Sequence, residues 1–518
     1  MAGILIIRLK GLGDIVHVVP SLEAIRRSHP HESIGFLCQK PFGDIIPPSL
    51  GIKIFQIPSK ASLFQTLHVI RMIRREKYDK VFDLFSNPRT ALISLFSGIS
   101  WKAGFNYRVR KFAYNHIFVP QDPNRHLSEL FWEFFRKFGF EGKIDHPNLE
   151  PGYEADAKAD EILAASGSSF PLLGLNPHAS YPSKAWPPEH YESIAKKWFD
   201  ETGSKSILFW GPGEEGETQR LIQKIGSAKV FTHPPLSIRE LLALISKLDL
   251  FVTADTGPMN IAWAQQTPTI ALFGPTTRKA VAPKGPQHRI LYAKNLECLQ
   301  CHLEICPRKD CMTRITPDDV FKLIKTDYTY LFLKNNDAKR KAVFIDRDGT
   351  LNPDPGYISH PDSFHLFPGV GKALAKLKEA GYLLVLITNQ SGIARRLYNK
   401  KDLYSIHEKM TRELMHEGVK LDRIYFCPHH PDFPSENGVT KCHCRKPAPG
   451  MFLNAIKDLN INPKISYAVG DKKSDTAAAR QAGVVPIMIG DVQRSGKGDV
   501  QIFPSLATAI EWILYEKN

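Results

Sequence analysis

A short apolar run that ends in two carboxylates constrains the fold of this chain more than any other feature. Residues 343–351 read VFIDRDGTL, so the apolar strand stops at Asp346 and Asp348, and Gly349 lets the chain turn away. Residues two apart on a strand point to the same side, so both carboxylates can address one substrate. In doubly wound parallel sheets, ligands bind at the carboxyl ends of such strands. The run therefore predicts an α/β domain with a site at this edge.

Two interpretations of the carboxylate pair are open at this point. An aspartate attacks phosphorus only when the charges of both partners are countered, and a magnesium ion can do that. A strand end with two acids can equally cap a loop without any chemistry. Further residues of suitable type are needed to decide between a phosphoryl-transfer site and a loop cap.

Three later segments supply those residues. The apolar run at 382–387 ends in a stretch of hydroxyl and amide side chains, and the run SYAVGD at 466–471 ends in another carboxylate. Between them, the segment CRKPAPG at 444–450 contributes cations. A phosphate clamp, a cation and a third metal carboxylate at strand ends favour phosphoryl transfer. The candidate residues are Thr388, Asn389, Ser391, Arg445, Lys446 and Asp471.

Together these four motifs resemble the haloacid dehalogenase superfamily of phosphatases, over residues 341–518. The resemblance implies that Asp346 is the nucleophile and that Asp348 is the general acid/base. It also implies a magnesium ion bound by Asp346, by the backbone carbonyl of Asp348 and by Asp471. Lys446 would then stabilise the charge of the phosphate.

A second constellation has the spacing of a zinc site. One Cys-x-His pair is followed after twelve residues by a Cys-x-Cys pair, and the intervening segment is polar with Pro and Gly. Three thiolates and one imidazole suit tetrahedral zinc, and four protein ligands indicate a structural ion. Disulfides or unlinked cysteines are the alternative, and His430 or His443 could replace the histidine ligand. The predicted ligands are Cys427, His429, Cys442 and Cys444.

The motifs around the predicted zinc ligands indicate which group of phosphatases the second domain resembles. CPHHP, CHCRKPAPGM and TNQSGIAR resemble the D-glycero-D-manno-heptose 1,7-bisphosphate phosphatases, which remove the 7-phosphate and retain the 1-phosphate. Histidinol phosphatases carry a similar loop and are the close alternative. Residues 356–358 and Arg395 or Arg396 are the candidates for binding the sugar and its other phosphate, because Arg suits bidentate contacts.

The first 335 residues predict alternating strands and helices. Residues 4–9 form an apolar strand, 10–14 a glycine-bearing turn and 15–27 a helix with apolar residues at helical spacing. The turn is not a dinucleotide fingerprint, because Val16 occupies the place of the third glycine. Asp14 is therefore either a first-turn acid favoured by the helix dipole or a general base at the mouth of a cleft.

A second strand–helix series follows. Strands are predicted at 172–176, 206–210, 250–253 and 268–273, and the segment ADTGPM at 254–259 opens a helix at 260–265. Backbone amides at such a helix start can receive a diphosphate. Two Rossmann-like halves with a pocket facing an acid describe a GT-B glycosyltransferase.

RLKGLGDIVH, NPHASYPSKAWP, ADTGPMNIAWA and ALFGPT resemble glycosyltransferase family 9, the ADP-heptose:lipopolysaccharide heptosyltransferases, over residues 1–330. The resemblance implies that Asp14 deprotonates the acceptor hydroxyl and that no metal is needed. Asn260 and Lys10 depart from the family pattern. The implied ligands of the donor phosphates, nucleotide and heptose are Ser180, Lys184, Glu214 or Glu215, Asp255, Thr256 and Gly257.

The expected organisation is a GT-B acceptor domain at 1–165, a nucleotide-sugar donor domain at 166–335 and a phosphatase domain at 341–518. The polar segment 334–341 is the predicted linker between transferase and phosphatase. Another four cysteines, Cys298, Cys301, Cys306 and Cys311, are interpreted as free thiols or a structural loop, with a metal site as the alternative.

The net charge of +15 favours anionic ligands. No nucleic-acid module is recognised, so the expected partners are ADP-heptose, heptose 1,7-bisphosphate and a phosphorylated glycolipid acceptor. Basic stretches at 71–80 and 108–111, with the aromatic segment 105–114 as an acceptor face, would suit contact with the inner membrane. With no signal peptide and no long apolar run, we expect a cytoplasmic enzyme. A non-enzymatic first half and a nucleic-acid phosphatase are the remaining alternatives.

Overall fold

The computed structural model describes residues 3–106, 111–167, 171–328, 331, 340–433, 442–491 and 500–515. The chain forms two compact units, Met1–Asp327 and Tyr328–Asn518. Most of the predicted linker at 334–341 lies outside the described residues, and so does the basic part of the segment 105–114. The division of the first unit at residue 165 stays a prediction.

The first unit contains two sheets of six parallel strands. The first sheet consists of β1 (Gly3–Ile7), β2 (Ser33–Gln39), β3 (Lys53–Ile57), β4 (Lys80–Asp83), β5 (Trp101–Phe105) and β6 (His116–Phe118). The second sheet consists of β7 (Leu173–Asn176), β8 (Ser206–Leu208), β9 (Val230–Thr232), β10 (Leu250–Ala254), β11 (Thr269–Phe273) and β12 (His288–Tyr292).

Helices cover these two sheets. Those that follow strands of the first sheet are α1 (Leu12–Ser28), α2 (Leu63–Glu76), α3 (Pro88–Phe96), α4 (Leu127–Lys137) and α5 (Tyr153–Ser166). The remainder are α6 (Pro188–Thr202), α7 (Glu215–Ile225), α8 (Ile238–Ser246), α9 (Gly257–Ala264), α10 (Arg278–Val281), α11 (Asp310–Thr313) and α12 (Pro317–Asp327).

The second unit has a third sheet of six parallel strands. Its strands are β13 (Ala342–Ile345), β14 (Leu383–Asn389), β15 (Arg423–Cys427), β16 (Tyr467–Gly470), β17 (Val485–Ile489) and β18 (Gln501–Phe503). Its helices are α13 (Val370–Glu379), α14 (Lys400–His416), α15 (Gly450–Asp458), α16 (Lys473–Gln481) and α17 (Leu506–Tyr515).

All three sheets share one topology. Their orders are β3-β2-β1-β4-β5-β6, β12-β11-β10-β7-β8-β9 and β15-β14-β13-β16-β17-β18. Each order reverses between the first and fourth strand of its sheet, and ligands bind in the crevice outside the strand ends at such a reversal. The predicted α/β class is confirmed, and the three crevices lie after β1 and β4, after β7 and β10, and after β13 and β16.

The apolar cores explain how the elements pack. One cluster joins α1 and α4 to α8 and α9, so side chains from both sheets of the first unit share a core. A separate cluster on the other face of the first sheet contains Ile70 of α2 and Ile93 of α3. In the second unit, two clusters lie on the two sides of β13, around Val343 and around Phe344. Alternate strand residues thus enter opposite cores, as the period of a strand requires.

The observed bounds differ slightly from the predicted ones. The first helix begins at Leu12 rather than at residue 15, and the helix after the donor loop begins at Gly257 rather than at 260. Among the described helices, none combines the length and apolar character needed to cross a bilayer.

Candidate active sites

The crevice of the third sheet brings together two carboxylates from neighbouring strands. Asp346 follows β13 and Asp471 follows β16, and these strands pair in parallel. Gly349 turns the chain with a φ of 84°, and a Cβ at this position would lie 2.3 Å from Asp471 Oδ2. A side chain there would therefore clash with Asp471, so the glycine allows both the turn and the close approach.

A buried lysine lies between two carboxylates at the centre of this crevice. The Nζ of Lys446 lies 2.8 Å from Asp346 Oδ1 and 2.6 Å from Asp475 Oδ1, and it donates to the carbonyl of Ile387 at 2.7 Å. Burial raises the pKa of Asp346, against the opposing effect of Lys446. The lysine therefore keeps a buried carboxylate available in its charged, nucleophilic form.

Asp348 has a different environment from Asp346. Its carboxylate accepts hydrogen bonds from Arg347 Nε at 3.0 Å and Nη2 at 2.8 Å, from Asn352 Nδ2 at 3.1 Å and from Gln390 Nε2 at 3.0 Å. Burial opposes the charge, but Arg347 and the other donors lower the pKa of Asp348. Two carboxylates two residues apart thus have pKa values shifted in opposite directions, which suits different roles.

The hydroxyl- and amide-bearing residues after β14 complete the crevice. Thr388 accepts a hydrogen bond from Gln390 Nε2 at 2.8 Å, and Gln390 Oε1 accepts one from Tyr398 at 2.6 Å. Asn389 exchanges two hydrogen bonds with the backbone of Lys446, at 3.0 and 3.1 Å. This exchange ties the lysine segment to the end of β14.

A cavity of about 410 Å³ opens at these residues. Its lining includes most of the phosphatase residues predicted from sequence, together with residues 356–358. Arg395 is not among the lining residues; its Nη2 lies 2.8 Å from His430 Nε2, and its guanidinium lies over the ring of Phe433. The predicted residues that line the cavity are Asp346, Asp348, Thr388, Asn389, Ser391, Arg445 and Lys446.

The carboxylates at this crevice fit a divalent cation. One oxygen from each of Asp346, Asp471 and Asp475 lies within 4.8 Å of the others. Asp471 Oδ1 is buried and has no hydrogen-bond partner among the described residues. An unpaired buried carboxylate oxygen is costly unless a cation binds there, and such oxygens are the ligands that magnesium prefers. The set predicted from sequence, with the carbonyl of Asp348, stays a prediction.

The cysteine and histidine residues of the predicted zinc loop converge. Cys427 Sγ lies 3.6 Å from Cys442 Sγ, 3.6 Å from His429 Nδ1 and 3.2 Å from Cys444 Sγ. Zinc bonds of about 2.0–2.3 Å arranged as a tetrahedron give ligand separations of roughly 3.3–3.8 Å. The donor set therefore fits zinc in both type and spacing.

The zinc loop adjoins the cavity through the segment that follows it. Arg445 and Lys446 come directly after Cys444, and Arg445 Nη1 donates to the carbonyl of His429 at 3.0 Å. Fixing the loop therefore also fixes the residues that line the cavity. His430, the alternative ligand, instead contacts Arg395.

In the first unit, Asp14 lies at the start of α1, beyond the carboxyl end of β1. It forms an ion pair with Arg8, whose Nη1 donates to the carbonyl of Leu84 at 3.0 Å. The guanidinium of Arg8 also lies 4.6 Å from the ring centroid of Phe85. Asp14 is thus held in the crevice between β1 and β4 while its side chain stays partly exposed.

The turn that carries Asp14 packs against the start of α9. A Cβ on Gly13 would lie 2.4 Å from Asn260 Nδ2, and a Cβ on Gly257 would lie 2.6 Å from Leu12. Asn260 Nδ2 donates to the carbonyl of Thr256 at 2.9 Å, and Asn260 Oδ1 accepts from buried His17 at 2.8 Å. The turn that carries Asp14 therefore packs against the donor loop, and the roles assigned to Asp14 and to the donor residues stay predictions.

Some of the other residues predicted for the transferase site lie at the crevice of the second sheet, and others do not. Lys184 pairs with Asp255 at 2.8 Å, and Thr256 accepts a hydrogen bond from Asn176 at 3.1 Å, so these residues meet at the crevice after β7 and β10. Glu214 instead stabilises the turn that contains it, because its Oε2 accepts a hydrogen bond from the backbone N–H of Gly211 at 2.7 Å. Ser180 is exposed at the surface.

Several contacts in these sites escape sequence reasoning. Arg347 is a buried partner of Asp348, Gln390 joins Asp348 to Thr388, and Asp475 shares Lys446 with Asp346. Asp475 carried a signal, because it follows Asp471 by four residues in the segment DKKSD at 471–475. His17 carried none, because its partner Asn260 lies in the other half of the unit.

The four cysteines at 298–311 do not form a comparable metal group among the described residues. Cys298 and Cys301 are exposed, Cys306 is half-buried and Cys311 is buried, and none is in a disulfide. The backbone N–H of Lys309 donates to Cys306 Sγ at 3.5 Å.

Comparison with known proteins assigns each unit to a family. The family model for glycosyltransferase family 9 (heptosyltransferase) matches residues 66–311, and that for haloacid dehalogenase-like hydrolases matches residues 352–483. The D-glycero-β-D-manno-heptose-1,7-bisphosphate 7-phosphatase of Haemophilus ducreyi is 55% identical over 146 residues, 28% of this chain and 80% of the relative.

Solved structures with the fold of the first unit include two proteins. A glycosyltransferase family 9 protein from Veillonella parvula has a TM-score of 0.58 and 22% identity, covering 64% of this chain and 98% of its own. The ADP-heptose lps heptosyltransferase II of E. coli has a TM-score of 0.54 and 21% identity, covering 65% and 100%. The chain therefore belongs, through its second unit, to the D-glycero-β-D-manno-heptose-1,7-bisphosphate 7-phosphatases of the haloacid dehalogenase-like hydrolases, and it carries a glycosyltransferase family 9 domain ahead of them.

Proposed function

We propose that the second unit removes the 7-phosphate of D-glycero-D-manno-heptose 1,7-bisphosphate through a phosphorylated Asp346. The contact of Lys446 with both Asp346 and Asp475, at the floor of a cavity lined by polar side chains, is the observation that carries this proposal. The similarity to the Haemophilus ducreyi enzyme supports the substrate and its β anomer.

In the first step, an oxygen of Asp346 attacks phosphorus and the bond between phosphorus and the sugar oxygen breaks. Lys446 offsets charge on the phosphoryl oxygens, and the leaving oxygen takes a proton from Asp348. Asp348 is ionised while Arg347 and Gln390 bind it, so it must take up this proton as substrate binds. A magnesium ion bound by Asp346 and Asp471 would neutralise charge on the substrate and on Asp346.

In the second step, water attacks phosphorus and the bond to Asp346 breaks, which restores the carboxylate and releases phosphate. Asp348 takes the proton from that water, a role for which its lowered pKa is suited. Thr388 and Ser391 line the cavity at the end of β14 and would bind the phosphoryl oxygens.

The sugar and its 1-phosphate would bind toward residues 356–358 and Arg445, which line the same cavity. Arg395 contacts His430 and Phe433 of the zinc loop, and its guanidinium also lies 5.9 Å from the ring centroid of Tyr357, which lines the cavity. Histidinol phosphate is the alternative substrate. The experiment compares phosphate release from both heptose bisphosphate anomers, histidinol phosphate and a 3'-phosphorylated oligonucleotide, and rapid release from histidinol phosphate alone would contradict the proposal.

We further propose that the first unit transfers heptose from ADP-heptose to a phosphorylated glycolipid. The close approach of the Asp14 turn to the start of α9 carries this proposal, because it brings a carboxylate opposite a helix start that suits a diphosphate. Asp14 would deprotonate the acceptor hydroxyl, whose oxygen then replaces the diphosphate at the sugar carbon. Lys184, Thr256 and the amide of Gly257 would offset the charge of the leaving diphosphate.

Transfer is tested by incubating the full chain with ADP-heptose and candidate glycolipid acceptors. Formation of a heptosylated acceptor and ADP is expected. ADP-heptose binding without transfer to any heptose-accepting core glycolipid would instead favour a binding module. The two proposed reactions are not consecutive, since the phosphatase product must first receive a nucleotide from a nucleotidyltransferase.

A further inference from the structure

Two helices of the first unit present an apolar and basic surface that the fold does not cover. α2 and α3 bury Ile70, Ile73 and Ile93 against the first sheet. Their outward sides nevertheless expose large apolar side chains: Phe64 is 83% exposed and Leu63 is 72% exposed. We call this surface the α2–α3 face, and its apolar members are Leu63, Phe64, Leu67, Leu92, Leu95 and Phe96.

Hydrogen bonds at both ends hold the two helices side by side. Arg89, at the start of α3, donates to the carbonyl of Ser59 ahead of α2 at 3.1 Å. Arg74, near the end of α2, donates to the carbonyl of Phe96 at the end of α3 at 2.8 Å. The helices therefore lie side by side and run in the same direction, and each of them carries exposed apolar residues.

The charges around this surface are mostly positive. α2 carries one acid, Glu76 in its last turn, which pairs with Lys53 Nζ at 2.6 Å. No other Asp or Glu occurs at residues 45–76 or 84–121, the two segments that contain α2 and α3. Arg71, Arg74 and Arg75 are exposed on the last turns of α2, beyond the apolar first turns. An exposed apolar surface flanked by three arginines, with its one acid paired to a lysine, matches the interface of an anionic lipid bilayer.

The position of the α2–α3 face suits the same partner. Leu63 and Phe64 begin the helix that follows β3, and β3 runs parallel to β1 through β2. They therefore lie at the sheet edge where Asp14 follows β1. The face lies on the opposite side of this sheet from α1, which packs against α9.

We propose that the α2–α3 face docks the chain on a bilayer that contains anionic phospholipid. Phe64, Leu63 and Leu67 insert between lipid headgroups, while Arg71 and Arg75 contact lipid phosphates. The purpose of this docking, delivery of a lipid-linked acceptor to Asp14, rests on the proposed transferase function. The docking itself needs no donor or acceptor sugar.

The test measures partitioning of the full chain onto vesicles of phosphatidylcholine with and without phosphatidylglycerol. Binding is expected only with phosphatidylglycerol and should weaken as salt rises. Phe64→Glu and the pair Arg71→Glu with Arg75→Glu should each weaken partitioning by about tenfold or more. The matched controls Leu453→Glu, at an exposed position of α15, and Lys372→Glu with Lys376→Glu, at exposed positions of α13, should bind as the unchanged chain does.

Phosphate release from a heptose bisphosphate by each variant reports that the second unit is folded, and denaturant unfolding reports that the first unit is folded. Heptose transfer to a detergent-dispersed acceptor is measured separately. If the unchanged chain binds vesicles but transfers no heptose, the proposed transferase function is contradicted and the docking surface is not. Equal binding by Phe64→Glu and the unchanged chain would overturn the docking surface. So would a dimer in solution that Phe64→Glu dissociates, since a second copy would then cover the face.

Discussion

Lys446 Nζ lies 2.8 Å from Asp346 Oδ1, and both side chains are buried. Removing the lysine would leave a buried carboxylate without its cation and would also remove charge stabilisation from the phosphoryl group. We expect Lys446→Met to lower kcat for phosphate release by about a hundredfold to a thousandfold. Lys446→Arg should lose less, because it retains the charge. Steady-state phosphate release checks this, and an unchanged kcat in Lys446→Met would contradict the role of the lysine.

Removal of the zinc ligands should affect both metal content and the phosphatase cavity. Cys442→Ser removes one of four converging donors, so we expect bound zinc to be lost and phosphate release to fall as the segment carrying Arg445 and Lys446 loosens. Elemental analysis and phosphate release check this prediction. His443→Gln is the matched control, because the structure places His429 rather than His443 with the thiols. Zinc retained by Cys442→Ser but lost by His443→Gln would refute the assigned ligands.

Asp14→Asn should lower heptose transfer by at least about a hundredfold, because the acceptor hydroxyl loses its base. Phosphate release by the same protein should be unchanged, because that reaction belongs to the second unit, and denaturant unfolding of the variant checks that the first unit is folded. Asp44→Asn, a partly exposed acid of the same unit, serves as the control and should retain transfer. Transfer by Asp14→Asn at the rate of Asp44→Asn would remove Asp14 from the mechanism.

The buried pair of His17 and Asn260 predicts how the first unit responds to acid. Burial, with smaller contributions from Arg8 and Lys284, lowers the pKa of His17 from its ordinary value of 6.5 to about 4, against the opposing effect of the hydrogen bond to Asn260. Between pH 6.5 and 4 the unfolded chain binds a proton that folded His17 does not. The free energy of unfolding should therefore fall as the pH falls through this window, by roughly 3 kcal/mol, and His17 should contribute no further change below it.

His126, which neighbours His17, also contributes to the loss of stability at low pH. Burial lowers the pKa of His126 to about 3, and Glu129 opposes that shift. His17→Gln retains a hydrogen-bonding side chain but removes the His17 titration, so the pH-dependent loss should be smaller in this variant. Denaturant unfolding of both proteins between pH 7 and 4 measures the difference. Identical pH profiles would contradict the buried, neutral state of His17.

Local sequence patterns predicted the strands, the carboxylates at the ends of the strands and the ligands of the zinc site. Each of these depends on residues close together in the chain: an apolar run fixes a buried strand, and a turn fixes where Asp346 and Asp471 point. The contacts of Asp348 with Gln390 and of His17 with Asn260 depend on which elements become neighbours in space. The spacing of residues along the chain does not show which elements become neighbours. The sequence therefore predicted a role for Asp348 without its contact to Gln390, and it did not identify His17.

The central claim, that Asp346 is the nucleophile of a heptose bisphosphate phosphatase, is tested most directly by phosphate release from D-glycero-β-D-manno-heptose 1,7-bisphosphate. The unchanged chain should release one phosphate per substrate and leave heptose 1-phosphate. Asp346→Asn should lose at least about a thousandfold in kcat, while Asp458→Asn, an acid on α15 outside the cavity, should keep the full rate. Release by Asp346→Asn at the rate of the unchanged chain would contradict the claim.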